Sequence, residues 1–235
     1  MYRILPKKLL VIAIGWLVVS MVMLGQSLSQ LLHFEFKLTA IPALAWLAVN
    51  LMLWNPIWRL LWKTFPKLNE LVFPDLNGVW EVELCSNWSR QAQMLDAAAS
   101  ADTAIDMRRC DETELAPLTP IKLEAEIHQT WFGFEMLLYN PRSDTPIDRS
   151  DTISVDPFPS TGLRRPGICY FYKQVNATDN VADDAEFYGA ARLEYDLKKD
   201  QLVGLAWTAR MWRQAMNTAA SITFRRKQDS TGQPG

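Results

Sequence analysis

The stretch Phe73-Pro74-Asp75-Leu76-Asn77-Gly78-Val79-Trp80-Glu81-Val82-Glu83-Leu84-Cys85-Ser86-Asn87-Trp88 divides the chain into two kinds of sequence. Pro74, Asn77 and Gly78 are turn formers. Beyond them Trp80, Val82 and Leu84 alternate with Glu81, Glu83 and Cys85, the period of a strand with one wet face. Long apolar runs lie before this stretch, and strand-type patterning lies after it. The expectation is a chain that leaves a bilayer here and enters a β fold.

Upstream, Leu9–Leu32 and Leu38–Trp58 carry no charge. Each is close to the roughly 20 residues that a helix needs to cross hydrocarbon. With only His33 to Lys37 between them, they predict a two-helix transmembrane hairpin in a domain 1–66, with spans at about 9–32 and 38–58. Arg3, Lys7 and Lys8 precede the first span, and Arg59, Lys63 and Lys67 follow the second. The positive-inside rule then puts both termini and the β domain in the cytoplasm, on a multi-pass protein of the cell inner membrane. Trp54, Trp58 and Trp62 are expected at the inner interface. The first run is too long for a cleaved signal peptide, and no small-residue cleavage motif follows it. Gly25 and Ser29, four apart, and Asn50 suit helix packing, either within one hairpin or between chains. No series of ionisable groups lines either run, which argues against an ion-coupled transporter.

The net charge of −2 hides a split. Residues 1–58 hold four basic groups and one acid, leaving 20 basic and 25 acidic residues in the rest. An acidic domain lacks the basic face that DNA or RNA requires, although a local pocket for a small phosphorylated ligand stays open. Cys85, Cys110 and Cys169 are odd in number and widely spaced, which fits a reducing compartment. Strands are expected at 78–88, 121–128, 132–139, 148–155, 168–174, 187–196, 201–211 and 218–226. Together they predict an eight-stranded, antiparallel, lipocalin-like β-barrel as a sensor domain over 73–227. An insertion at about 89–120 separates the first two strands, and 228–235 is a disordered tail. Trp80 with Arg225 or Arg226 matches the lipocalin arrangement in which a terminal arginine covers a first-strand tryptophan.

Nothing points to catalysis. The histidines are His33 and His128, and no HExxH, Walker or GxSxG motif is present. The expectation is a protein that is not an enzyme and holds no metal or cofactor. What remains is a binding constellation in Trp207-Thr208-Ala209-Arg210-Met211-Trp212-Arg213, leading to Asn217 and Thr218. Aromatic rings stack bases and guanidinium forks take phosphate oxygens. The plainer reading is a hairpin with a charged rim. With Trp88 at the end of the first strand and Tyr170 and Tyr172 on one face of the fifth, the expected ligand-binding set is Trp88, Tyr170, Tyr172, Thr208, Arg210, Arg213, Asn217 and Thr218.

Several segments together resemble a known family: Pro74–Trp80, Ser86-Asn87-Trp88, Phe187-Tyr188-Gly189-Ala190-Ala191 and Trp207–Ala220. The chain resembles the two-transmembrane, β-strand-rich effectors of CBASS anti-phage systems, departing at Phe187, where the family has histidine, and at Ala220, where it has glycine. The resemblance implies a barrel that binds a cyclic dinucleotide made by a partner nucleotidyltransferase. It further implies homo-oligomeric assembly of the hairpins among membrane lipids, disruption of the inner membrane and death of the infected cell. The alternative is a membrane-anchored lipocalin-like carrier or scaffold for an apolar ligand or a protein partner.

Overall fold

Gly78 opens the first strand at φ 125°, a conformation that residues with a Cβ avoid. From it runs β1 (Gly78–Ser86), with Trp80 and Val82 buried and Val79 and Glu81 exposed. The computed structural model describes residues 4–5, 7–32, 37–100, 102, 105–106, 108–143, 145–178 and 183–227. Residues 33–36 of the expected link, Arg3 and the expected tail 228–235 lie outside the described residues. The chain forms two units, one comprising Met1–Asp75 with Thr130–Phe132, the other Leu76–Gln129 with Gly133–Gly235.

The second unit is the barrel. After β1 come β2 (Thr119–Gln129), β3 (Phe134–Tyr139), β4 (Ile147–Phe158) and β5 (Gly167–Asn176), then β6 (Glu186–Asp196), β7 (Gln201–Thr208) and β8 (Ala219–Arg226). Each strand pairs antiparallel with the next, and β8 pairs back onto β1 from Trp80↔Arg226 to Ser86↔Ala220. The eight expected strands are all present. Their ends differ: β7 stops at Thr208 and not 211, β5 continues to Asn176, and β4 extends over 147–158 with two register shifts.

Period-two alternation sends Trp80, Ile127, Ile168, Leu193, Leu202 and Phe224 into a filled, dry end of the barrel. There the Arg226 guanidinium lies 4.3 Å from the Trp80 ring centroid and reaches Asp200 (2.8 Å) and the Asn77 carbonyl (2.6 Å). The Trp80 indole N–H donates to the Leu76 carbonyl at 3.0 Å. Asn77 and Gln129 exchange side-chain and backbone bonds, Gln129 N to Asn77 Oδ1 at 2.7 Å and Asn77 Nδ2 to Gln129 O at 3.0 Å. Of the two candidate arginines, Arg226 caps the tryptophan, while Arg225 pairs with Glu83 at 3.0 Å on the exposed face.

The expected insertion at 89–120 opens with a helix. Trp88 does not end a strand; it begins helix α5 (Trp88–Ala99; α1–α4 are given below). Gln93 fastens this helix to the returning chain through Glu114 O and Ala116 N, both at 2.8 Å.

The first unit departs from the expected membrane hairpin. Its helices are α1 (Lys7–Leu32), α2 (Ile41–Leu53), α3 (Asn55–Thr64) and the short α4 (Leu68–Leu71). Among the described residues no single helix is long and apolar enough to cross a membrane, and the apolar part of α1 is Val11–Ser27. The expected second span, 38–58, is broken. Trp54 is extended (φ −70°, ψ 127°), Pro56 stands in the first turn of α3, and α2 and α3 meet at 71°. A proline in the first turn favours a new helix start over continuation of the old one. Trp58 and Trp62 are not interfacial anchors either. They are buried on one face of α3, packed edge-on at 5.4 Å and each facing Trp131. Trp62 Nε1 donates to the Phe73 carbonyl at 2.7 Å, and Trp58 Nε1 to Asn55 Oδ1 at 3.0 Å. Of the three tryptophans only Trp54 is exposed, at 60%. Asn50 needs no partner helix, since its amide donates to Trp46 O one turn back at 2.7 Å.

The two terminal arginines give a direct stability test. Arg226→Ala removes a cation–π contact and the hydrogen bonds to Asp200 and the Asn77 carbonyl, and is expected to lower stability by about 2–3 kcal/mol. Arg225→Ala breaks an exposed pair and should change it by less than about 1 kcal/mol. Urea midpoints at constant slope measure both.

Candidate binding site at the barrel mouth

At the end opposite Trp80, the rims of β1, β2, β4, β5, β6, β7 and β8 enclose an open cavity of about 400 Å³. Its lining is mixed. Leu84, Ile121, Ile147, Phe187 and Ala206 supply apolar surface, while Ser86, Gln174, Asn176, Thr208 and Thr218 supply polar groups. Trp88, Tyr172 and Arg210 complete the wall. Small-molecule sites commonly have this size and character.

Trp88 is placed by the start of α5. Asn87 N donates to Ala219 O at 3.0 Å, and Asn87 Oδ1 accepts from Ala219 N at 3.0 Å. These two bonds pin the helix start to β8. The Trp88 backbone N–H in turn donates to Ser86 Oγ at 3.2 Å. The Arg210 guanidinium then lies 4.6 Å from the Trp88 ring centroid.

Arg210 is committed twice. Besides the ring, its Nε and Nη2 hold Asp183 Oδ1 and Oδ2 at 2.8 and 2.6 Å, and the two side chains are only 16% and 9% exposed. Asp184 accepts from the Met211 amide at 2.6 Å, so consecutive carboxylates hold the segment that follows β7. The Thr208 and Thr218 hydroxyls meet at 2.8 Å across the ends of β7 and β8.

Five of the eight expected ligand-binding residues therefore share one cavity: Trp88, Tyr172, Thr208, Arg210 and Thr218. Tyr170 lies one layer deeper, where the interior narrows to about 10 Å³. The Tyr170 and Tyr172 rings are 5.7 Å apart, and burial pushes both phenol pKa values well above the ordinary range, so both stay protonated. Arg213 and Asn217 are elsewhere. The ten residues joining β7 to β8 pass through left-handed Met211 (φ 47°) and Ala215 (φ 57°). That path carries Arg213 into an outer groove with Trp212 and Lys173, and Asn217 into another with Phe171, Tyr188 and Trp207. The Asn217 carbonyl accepts from Gln91 Nε2 at 2.6 Å.

The expected set omits Ser86, Gln174, Asn176 and Phe187. Gln174 and Asn176 continue the inward face of Tyr170 and Tyr172 at the same two-residue spacing, a signal that a strand ended at Gln174 cuts short. Gly189 also serves the mouth. It stands across from Tyr172, and a Cβ there would come within 2.3 Å of that ring. The glycine is what lets the Tyr172 ring lie flat against β6. Among the described residues no group of three or more His, Cys, Asp or Glu could hold a metal ion.

Asp183→Ala leaves the mostly buried Arg210 charge without its acceptor. It is expected to lower stability by about 3 kcal/mol, read from urea unfolding. Gly189→Ala displaces the Tyr172 ring, with an expected loss of about 1–3 kcal/mol by the same measurement.

No protein-family model matches the chain. Over 56 residues it is 38% identical to CD-NTase-associated protein 15 of Escherichia albertii, a match that covers 23% of this chain and 29% of that protein. The chain thus aligns with less than a third of the length of this curated relative.

Proposed function

We propose that the protein is an effector of a CBASS anti-phage system, whose barrel mouth binds a cyclic dinucleotide made by a partner nucleotidyltransferase. The observation that carries this reading is a 400 Å³ mouth walled by a stacked Arg210–Trp88 pair, the Tyr172 phenol, amides and hydroxyls, above an interior that is otherwise filled. Aromatic walls bind the faces of bases, and convergent polar groups read their edges. The similarity to a protein named as CD-NTase-associated, together with the eight-stranded barrel, supports the same system. A lipid carrier would need a deep apolar cup, and the narrowing to about 10 Å³ beneath the mouth disfavours one.

We assign Arg210 the role of holding the Trp88 ring, with its Nε and Nη2 engaged by Asp183. A base enters the mouth and the phosphates stay at its open rim, where water solvates them. The output is assembly of copies of the chain at the inner membrane and loss of bilayer integrity. We assign it to α1 and α2, where Val11, Trp16, Trp46 and Leu47 are exposed apolar groups that lipid would cover. The ligand drives this step only by binding the assembled state more tightly than the resting one.

Calorimetric titration of the full chain with a panel of cyclic dinucleotides tests the reading. At least one member should bind saturably. Trp88→Ala should weaken that binding by roughly 5- to 150-fold, the equivalent of about 1–3 kcal/mol for one stacked base. Absence of binding across the panel sinks the proposal.

A further inference from the structure

Asn176, 5% exposed, lines the mouth from the end of β5. Its Oδ1 accepts from Gln174 Nε2 at 2.8 Å, and this bond sets which way the amide faces. Its Nδ2 is buried without a hydrogen-bond partner among the described residues. Buried amide donors are rarely left so, because desolvating one without an acceptor is unfavourable. Backbone bonds hold the position rigidly, with Asn176 N donating to Ala185 O at 2.8 Å and Ala177 N to Pro146 O at 2.8 Å. The backbone is thus fixed, and the donor at the wall of the mouth is in want of an acceptor.

The acceptor that suits it is a neutral oxygen. Arg210, the cation lining the mouth, is already neutralised by Asp183, so an anionic oxygen brought to this depth would be buried without a counter-charge. A base carbonyl meets the requirement, whereas an exocyclic amino group would set donor against donor. Resting on the reading of the mouth as a nucleotide site, we infer that Asn176, positioned by Gln174, is the base-selecting residue. It donates Nδ2–H to the oxo group at pyrimidine C4 or purine C6 and so favours bases that are oxo-bearing at that position (uracil, guanine) over those that are amino-bearing there (cytosine, adenine).

The test titrates the full-length protein with four probes: cyclic di-UMP, cyclic di-CMP, cyclic di-GMP and cyclic di-AMP. The wild type should bind an oxo-bearing probe more tightly than the amino-bearing probe of the same ring size. Asn176→Ala should weaken the oxo-bearing probe roughly tenfold and leave its amino-bearing counterpart within about twofold. Asn176→Asp still accepts from Gln174 and, at a pH high enough to ionise a carboxyl that burial favours in its protonated form, turns an acceptor towards the ligand and should then reverse the preference. A reversal is a readout that a purely structural asparagine would not produce. Urea midpoints establish that each variant folds, and should Asn176→Asp fail to fold, Asn176→Ala carries the test alone. If the wild type binds but both variants keep its order of preference, the donor serves a bound water and the inference falls while the site stands. A wild-type preference for amino-bearing probes also overturns it. If the wild type binds none of the four or any other cyclic dinucleotide, the reading of the site itself has failed.

Discussion

The return of β8 onto β1 is the constraint on which the rest of the barrel depends. Left unpaired, both would be edge strands with rows of free N–H and C=O groups. Paired from Trp80↔Arg226 to Ser86↔Ala220, they close the sheet and fix the register of every strand between them. The same pairing delivers Arg226 to the Trp80 face, where its other nitrogens take Asp200 and the Asn77 carbonyl. One side chain thereby ties the last strand to the first, to the turn between β6 and β7, and to the residue that leads into β1. That end of the barrel is sealed, and the interior opens at the other.

The open end follows from a gradient of polarity along single strands. On β5 the inward residues run from Ile168 through Tyr170 and Tyr172 to Gln174 and Asn176. Apolar groups pack to high density, whereas amides and phenols keep bonding requirements that prevent the upper layers from collapsing in the same way. Space is left where the polar groups are. The single arginine of the mouth works inside this frame as scaffold, since Asp183 and Trp88 together absorb its charge and its face. A cavity built this way presents shape and hydrogen-bonding groups, with its cation already paired.

Much of the barrel was legible in sequence because alternation in β1, β2, β6 and β8 is regular and the turns carry strong formers such as Asn77-Gly78 and the Lys198-Lys199-Asp200 corner. The helical segment was misread for a physical reason. Hydropathy over 38–58 counts apolar residues and is blind to backbone direction, so it reads straight through Asn55-Pro56, where the helix ends and restarts at 71°. The spacing of Trp58 and Trp62, four residues apart, is equally that of one buried helix face, and burial against Trp131 comes from a residue more than sixty positions away. Of the residues chosen for their chemistry, Trp88, Tyr172, Thr208, Arg210 and Thr218 line one cavity. Arg213 and Asn217 were not separable from them, because the left-handed turns at Met211 and Ala215 that divert them leave no glycine in the sequence.

By itself the sequence determined that the second part of the chain is an up-and-down set of strands with a tryptophan and an arginine at its two ends, since alternation and turn chemistry are local properties. Only the tertiary structure decided which arginine caps Trp80, which half of the aromatic-basic segment faces inward, and that Asp183 takes the charge of Arg210. Those are pairings between residues 27 to more than 140 positions apart. They are set by closure and register, quantities that belong to the whole ring of strands and to no single stretch of it.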